Sequence, residues 1–539
     1  MTNPVTTFKS AHPRAFRLLL PAAALFLYCF HVLLLRSQVR NIFSRDISWG
    51  KTQITAVLLS MVFGFFVYLC ALLAVYLLFT RNRAFLKGAK EFLFYFIPMM
   101  LLLICTWPGI FKGDEFYVLQ AVRNLTFSPA QTGITSLFYI ACLRFFPSLA
   151  AIPFFQIVII CCIYASVFSM LKSIYPGRNF LLCRLVCFFL PVLDGNLFTL
   201  RATLVGWIFL LIMCTCFYCY KKQLMTAKQL VVISLLCGLI IAWRSEYIYL
   251  LLFMPLAVKL IYKKHLKQAL LCFLIILISF QCFNIPNKIA LNGSNKYPIS
   301  LVINPLGNIF AQEEIRGETA YDDIMTINEL IDVQALRIHP SVRNISQYWN
   351  IPDILPKEQL NAFMAASIRL IANNFDHFLY YRWLTFMHTN GMVPDEINHP
   401  TAPTSETVYT LTYYDEDYKN SYYFMHPILG ENLRNTIIDF LSCRSYKENN
   451  VKTNFLYPVF YNCLPTIIIV LLLMIFCLIK KKGVPAFLLF LTGAQVILIF
   501  LTAPAMFFMY YYCFYLAGYF LSALIVLEFC AKKNKLYLL

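Results

Sequence analysis

Asp114 and Glu115 stand side by side in the stretch WPGIFKGDEFYVLQ, residues 107–120, a few positions beyond the apolar run Phe92 to Cys105. A carboxylate at the mouth of a membrane segment is partly desolvated, and partial desolvation tunes an acid toward work as a general base. The same pair could hold a divalent cation, Mg2+ or Mn2+. It also suits a helix start, with Asp114 capping a helix over 115–123 and Glu115 favoured by the helix dipole. Tyr117 and Gln120 follow within reach of anything the acids touch.

Arg244 and Glu246 interrupt LLCGLIIAWRSEYIYLLLFMPL, one of the most apolar stretches in the chain. Ionisable groups beside a bilayer are costly and are usually paired or functional. The pair fits a turn between two spans, with Arg244 and Glu246 meeting at the interface. It also fits an arginine aimed at a phosphate, because guanidinium offers forked donors that match phosphate oxygens. Arg201, about one turn into its apolar run, invites the same reading, and Asp194 lies just before it.

The elements that must position these residues are membrane helices. Of 539 residues, 60% are hydrophobic and 13% charged, and solid apolar runs recur along most of the chain. That excludes an ordinary soluble domain. A helix needs about 20 apolar residues to cross a hydrocarbon core of roughly 30 Å, and a membrane barrel would show an alternation that is missing here. The sequence predicts an all-α polytopic protein with about 12 spans, 11 to 13 being allowed, near 15–35, 54–79, 91–106, 149–171, 180–193, 198–219, 229–243, 246–262, 268–284, 464–480, 484–503 and 506–529. Two apolar pieces are irregular. Residues 134–146 contain Arg144 and read as an interfacial or half-buried helix, and 180–193 contains Arg184 and reads as tilted, extended or re-entrant.

A net charge of +19 does not point to nucleic acid, because the Lys and Arg residues mostly cluster between apolar runs, where they set orientation. With the N-terminus inside, the inner loops hold Arg81, Arg83, Lys87 and Lys90; Lys172 and Arg178; Lys221, Lys222 and Lys228; Lys263, Lys264 and Lys267; and Lys480 to Lys482, with Lys532, Lys533 and Lys535 in the tail. The first outer loop departs from this pattern, with Arg36, Arg40, Arg45 and Lys51 against Asp46. Everything after residue 90 is consistent. The outer face then carries the 107–133 loop, the turn Asp194-Gly195-Asn196, and residues 285–460. The chain divides into a membrane module over 1–284, a mainly helical extracytoplasmic domain over 285–460 with helical spacing at 362–384, and three last helices with a basic tail over 461–539.

Other features carry weaker signals. The 19 cysteines mostly sit in apolar runs and read as small hydrophobes. Six tyrosines (409, 413, 414, 418, 422 and 423) fit a membrane-interface belt better than a sugar platform. Glu313-Glu314 and Asp322-Asp323 read as solvated acids. No HExxH, GxxxxGK[ST] or GxSxG motif occurs, which removes the usual signatures of zinc, nucleotide and serine-hydrolase chemistry. Asn-x-Ser/Thr sequons at Asn124, Asn292 and Asn344 fall on the outer side.

The order of parts resembles the C-type (GT-C) membrane glycosyltransferases, close to bacterial members of unknown specificity. In that superfamily a span leads into an outer loop with an acidic residue, then a juxtamembrane helix, and TWPGIFKGDEFYVLQAV is similar to that element. FSPAQTGITSLFYIACLRFFP follows like the family's Pro- and Thr-containing stretch, with Ser128 where a histidine is expected. CGLIIAWRSEYIYLL is similar to its helix–Arg–helix turn. The resemblance implies Asp114 as general base with Glu115 beside it, Arg244 at the arginine position, and a polyprenyl-phosphate sugar as donor. The acceptor would be a glycan, lipid or protein at the outer face of a bacterial plasma membrane.

Three other readings stay open. A transporter or flippase would show related halves and charges near mid-membrane, whereas here the charges lie near span ends and no repeat appears. A polymerase or ligase of lipid-linked sugars would use outer-loop bases, for which Arg316, Arg337, Arg343, Arg369, Arg382, Arg434 and Arg444 are candidates. A non-catalytic assembly subunit would be insensitive to loss of the acids.

Overall fold

The computed structural model describes residues 13–44, 46–111, 113–128, 131–262, 266–291, 297–338, 351, 355–393, 427–447, 450–504 and 507–536. Their elements are almost all helices, joined by one antiparallel hairpin that pairs Arg444–Lys447 with Asn450–Thr453. Among the described residues nine helices are long and apolar enough to cross a membrane: Lys51–Phe79, Arg83–Cys105, Ala151–Ile174, Arg201–Lys222, Ser245–Tyr262, Leu266–Leu291, Tyr457–Ile479, Gly483–Thr502 and Tyr512–Cys530. On Lys51–Phe79, Ile54, Leu58, Val62 and Phe66 are exposed at fourfold spacing. A long apolar face of this kind is stable only against lipid. The chain is a multi-pass membrane protein.

Nine of the twelve expected spans coincide with these helices. Two others, near 15–35 and 229–243, contribute the shorter apolar helices Leu18–Leu34 and Ala227–Trp243. Ala227–Trp243 has 17 residues, about 25 Å of rise. The span expected at 180–193 is not one helix. It breaks into Leu181–Cys187 and Leu190–Leu197, because Pro191 has no N–H for the Cys187 carbonyl, which accepts from Tyr95 OH instead, and Phe189 is extended. The irregular piece at 134–146 is a helix, Gly133–Phe145, and most of it is buried in protein.

Two compact units emerge. The first takes the described residues up to Ser245, Leu250–Ala290 and the helix Glu431–Ser442; the second takes Glu246–Tyr249, the described residues between Leu291 and Asn398, and those from Cys443 onward. The stretch 285–460 therefore contributes to both. In the first unit Arg83–Cys105 packs on Ala151–Ile174, which packs on Arg201–Lys222, and Ala227–Trp243 packs on Leu266–Phe283. In the second, Tyr297–Phe310 packs against Lys357–Asn373 and Phe375–Thr389, and the last three long helices pack on one another. The helical spacing at 362–384 corresponds to Lys357–Asn373 and Phe375–Thr389, separated at Asn374.

Candidate functional site

The acidic pair opens the helix Gly113–Arg123, with both carboxylates in its first turn. Asp114 is thus inside the helix and not its cap, because the helix starts at Gly113, two positions before the expected 115. The helix folds here because Phe116, Leu119 and Val122 bury one stripe in a cluster with Phe111, Leu143 and Phe155. Adjacent helical residues point about 100° apart. Glu115 accordingly goes into the protein at 1% exposure, while Asp114 is partly exposed and shares its side of the helix with Tyr117, at 52%. Gln120 is half-buried near the helix end. The two acids are not equivalent.

The turn before the helix is pinned on three sides. Gly109 sits at φ +121°, and a Cβ there would lie 2.8 Å from Pro153 Cγ, so no larger residue fits without strain. Ile110 N donates to the Leu197 carbonyl at 3.3 Å. Arg434, on the helix Glu431–Ser442, donates from Nη2 to the Gly109 carbonyl at 3.3 Å. Burial lowers the Arg434 pKa to about 10, the desolvation expected of a guanidinium held inside to fix a backbone group.

A continuous chain of hydrogen bonds runs from Asp114 to the arginine turns. Gln131 Nε2 donates to Asp114 Oδ2 at 2.7 Å. Thr135 Oγ1 donates to the Gln131 carbonyl at 2.7 Å and accepts from Trp243 Nε1 at 2.9 Å. Arg201 Nη1 reaches the Trp243 carbonyl at 3.4 Å. Asn287 adds a second tie: it donates to the Ala242 carbonyl at 2.6 Å and accepts from Ile134 N at 3.4 Å. Arg244 is the next residue, 5% exposed, and ends the helix Ala227–Trp243 in extended geometry. Asp114, Arg201 and the backbone of Arg244 thus share one scaffold, as Gln131, Thr135, Trp243 and Asn287, absent from the sequence reading, make clear. Neutral amide and hydroxyl side chains give no sequence signal when their partners lie far along the chain.

Asp194 is buried in the last turn of the helix Leu190–Leu197, where an open outer turn was expected. Its neighbours fix the geometry before Arg201. Thr203 Oγ1 donates to the Gly195 carbonyl at 2.7 Å, Trp207 Nε1 to Asn196 Oδ1 at 2.7 Å, and Asn196 Nδ2 to Tyr95 OH at 2.8 Å. Glu246 is half-buried in the short 3-10 turn Ser245–Tyr247 and is grouped with the second unit.

The acidic pair offers a divalent cation two carboxylates at most. Mg2+ asks for six oxygen ligands in a tight octahedron, and no group of three His, Cys, Asp or Glu side chains occurs among the described residues. Glu115 and Asp114 leave their helix about 100° apart, one buried and the other partly exposed.

One cleft close to the acidic helix has an unexpected lining. About 390 Å3 in volume, it is bounded by Arg36, Arg40, Arg144, Ser44, Trp49 and Leu125, and Ser44 N donates to the carbonyl of Arg123 at 2.9 Å. Arg36 and Arg40, which broke the charge alternation, therefore line a cleft with Arg144.

Of the remaining candidates, Asp323 is not a solvated acid. It is buried and bound by Arg369, whose Nε lies 3.1 Å from Asp323 Oδ1, while Glu313, Glu314 and Asp322 are exposed. Arg316 pairs with Asp376, Arg382 donates to the Leu301 carbonyl at 2.8 Å, and Arg444 donates to Tyr457 OH at 3.0 Å. Arg337 is exposed. The six tyrosines, Arg343, and the sequons at Asn292 and Asn344 lie outside the described residues; Asn124 is exposed. Set against protein-family models, curated proteins and solved structures, the chain matches none of them.

Proposed function

We propose that this chain is an integral-membrane glycosyltransferase that moves a sugar from a polyprenyl-phosphate carrier to an acceptor hydroxyl at the non-cytoplasmic face. One observation carries the reading: the partly exposed carboxylate of Asp114 is joined through Gln131, Thr135 and Trp243 to Arg201, at the turn that also holds Arg244. A base and the cations for a leaving phosphate are the two halves of this reaction, and the scaffold ties them together. Asp114 removes the proton of the acceptor hydroxyl, and that oxygen bonds to the anomeric carbon. The bond from that carbon to the phosphate oxygen breaks, and polyprenyl phosphate leaves with the electron pair. Arg244 and Arg201 stabilise its charge, with forked donors suited to phosphate. Glu115 and Asp194 support the walls from inside the first unit, and Tyr117 and Gln120 follow the base on its helix.

The polymerase or ligase reading loses support from the arginines that suggested it. Of the six that are described, Arg316, Arg369, Arg382, Arg434 and Arg444 are committed to protein partners. Among the described arginines of this stretch that leaves Arg337, which is exposed.

The test is transfer of labelled sugar from a panel of synthetic polyprenyl-phosphate sugars by purified protein in nanodiscs. Asp114→Asn keeps the shape and the Gln131 contact and is expected to lower turnover by about 10²–10⁴-fold. Arg244→Lys is expected to lose about 10²-fold or more, because an ammonium does not reproduce the fork. Full transfer by correctly folded Asp114→Asn would overturn the assignment.

A further inference from the structure

A second concave site lies in the first unit, at the far ends of the two helices whose Tyr95, Pro153 and Phe155 pack toward the scaffold around Asp114. The start of the helix Arg83–Cys105, the end of the helix Ala151–Ile174 and the segment before Leu181–Cys187 enclose an open cleft of about 800 Å3. Its charged lining is Lys87, Lys90, Lys172, Arg178 and Arg184 against one carboxylate, Glu91. Five cations and one anion leave a formal +4.

The floor of this cleft is prebuilt. Glu91 is 7% exposed and takes both Lys172 and Arg184 as ion-pair partners. Arg184 also donates to Tyr164 OH at 2.6 Å, and its guanidinium lies 4.5 Å from the ring centre of Phe168 and 4.7 Å from that of Phe94. Glu91 is therefore already neutralised. Lys87, Lys90 and Arg178 stand on the exposed rim, and the ion pairs among the described residues give them no carboxylate. Such a rim calls for an anion from outside the chain.

Depth and surroundings narrow the choice. Lys87 and Lys90 are in the first turns of one membrane helix and Lys172 is in the last turn of its packed neighbour, so the cleft lies at the level where a bilayer keeps its phosphates. Beside Arg184, Leu181, Leu182 and Leu185 are each about half exposed, at 55%, 50% and 47%. Cations next to open apolar side chains match an amphiphile, charged at one end and hydrocarbon at the other. We infer that this cleft binds the phosphate of an anionic phospholipid headgroup in the leaflet that the clustered bases mark as cytoplasmic, with the acyl chains lying against the Leu181–Cys187 helix. The site is separate from the proposed reaction, and its failure would leave that reading untouched.

The full-length protein in neutral detergent is titrated with phosphatidylglycerol, with phosphatidylcholine and with inorganic phosphate, and bound molecules are counted by native mass spectrometry. Wild type is expected to retain phosphatidylglycerol in preference to phosphatidylcholine, with affinity falling as salt rises. The triple variant Lys87→Gln, Lys90→Gln, Arg178→Gln changes only rim side chains and is expected to lose phosphatidylglycerol affinity by about a hundredfold, since each base at an anionic surface contributes about a factor of five. Phosphatidylcholine retention and thermal midpoint should not change. If the triple variant unfolds, Arg178→Gln alone carries the test, with about a fivefold loss expected. Equal phosphatidylglycerol retention by folded wild type and variant would overturn the proposal. So would inorganic phosphate binding as tightly as the lipid, which would make this a free-anion site.

Discussion

Asp114 and Glu115 differ by one position and by nearly everything physical. Asp114 is partly open and accepts from Gln131; Glu115 is enclosed among Phe116, Leu119 and the helices behind them. Substitutions should separate along that line. Asp114→Asn is expected to abolish most turnover while the thermal midpoint stays within error, because nothing buried is lost. Glu115→Ala is expected to cost about 1–3 kcal/mol of stability by removing a buried polar group from its surroundings, read as a lower thermal midpoint. Gln131→Ala belongs between them, since Gln131 orients the base and touches no reacting atom. It should lower kcat about tenfold and leave donor KM unchanged, the pattern of an interaction made mainly in the transition state; a rise in KM with kcat intact would mean that Gln131 binds donor instead.

At the scale of elements, the helix Gly133–Phe145 holds the centre of the arrangement, because Gln131 and Thr135 flank its start. It comes so close to the helix Ile285–Leu291 that a Cβ on Gly133 would lie 2.3 Å from the Pro286 carbonyl oxygen. Gly133→Ala must push these two helices apart and stretch the Asn287 ties, at about 1–3 kcal/mol for overpacking. The expected result is a lower thermal midpoint together with lost transfer activity, and an unchanged midpoint would mean that the contact has slack. Elements of this kind show how far the sequence could be read. Long runs such as Lys51–Phe79 and Gly483–Thr502 were legible because lipid demands about 20 apolar residues in a row, whatever they pack against. Residues 180–193 were marked as irregular by Arg184, but the division into two short helices at Phe188-Phe189 was not legible in a run otherwise filled by Leu, Cys, Phe and Val. At the site, Asp114, Arg201 and Arg244 were visible as charges in apolar surroundings. Gln131, Thr135 and Asn287 were not, because hydrogen bonds of amide and hydroxyl side chains to positions from 17 to over 100 residues away leave no trace in local composition.

Across the whole molecule, the arrangement of charge predicts that the two proposed sites face opposite sides of the membrane. The clustered bases at 81–90 and 172–178 mark one side, and the helix Arg83–Cys105 runs from those bases to the WPG turn that leads into Asp114. A crossing helix with its first turns in one headgroup layer has its last turn in the other, so the basic cleft and the acidic helix cannot share a face if that helix crosses. Asn124, one residue past the acidic helix, and Asn179, on the rim of the basic cleft, are both exposed and report on the two ends. Of the nineteen cysteines, Cys29, Cys70, Cys162, Cys282 and Cys530 are the exposed ones, and replacing these five with serine leaves a background in which a new thiol can be read. In intact cells a membrane-impermeant maleimide is expected to modify Asn124→Cys directly and Asn179→Cys only after permeabilisation. The reverse pattern would turn the molecule over and put the proposed transfer on the cytoplasmic side, where nucleotide sugars are an alternative donor. Labelling of both in intact cells would mean that Arg83–Cys105 does not cross, and the membrane arrangement built on it would have to be given up.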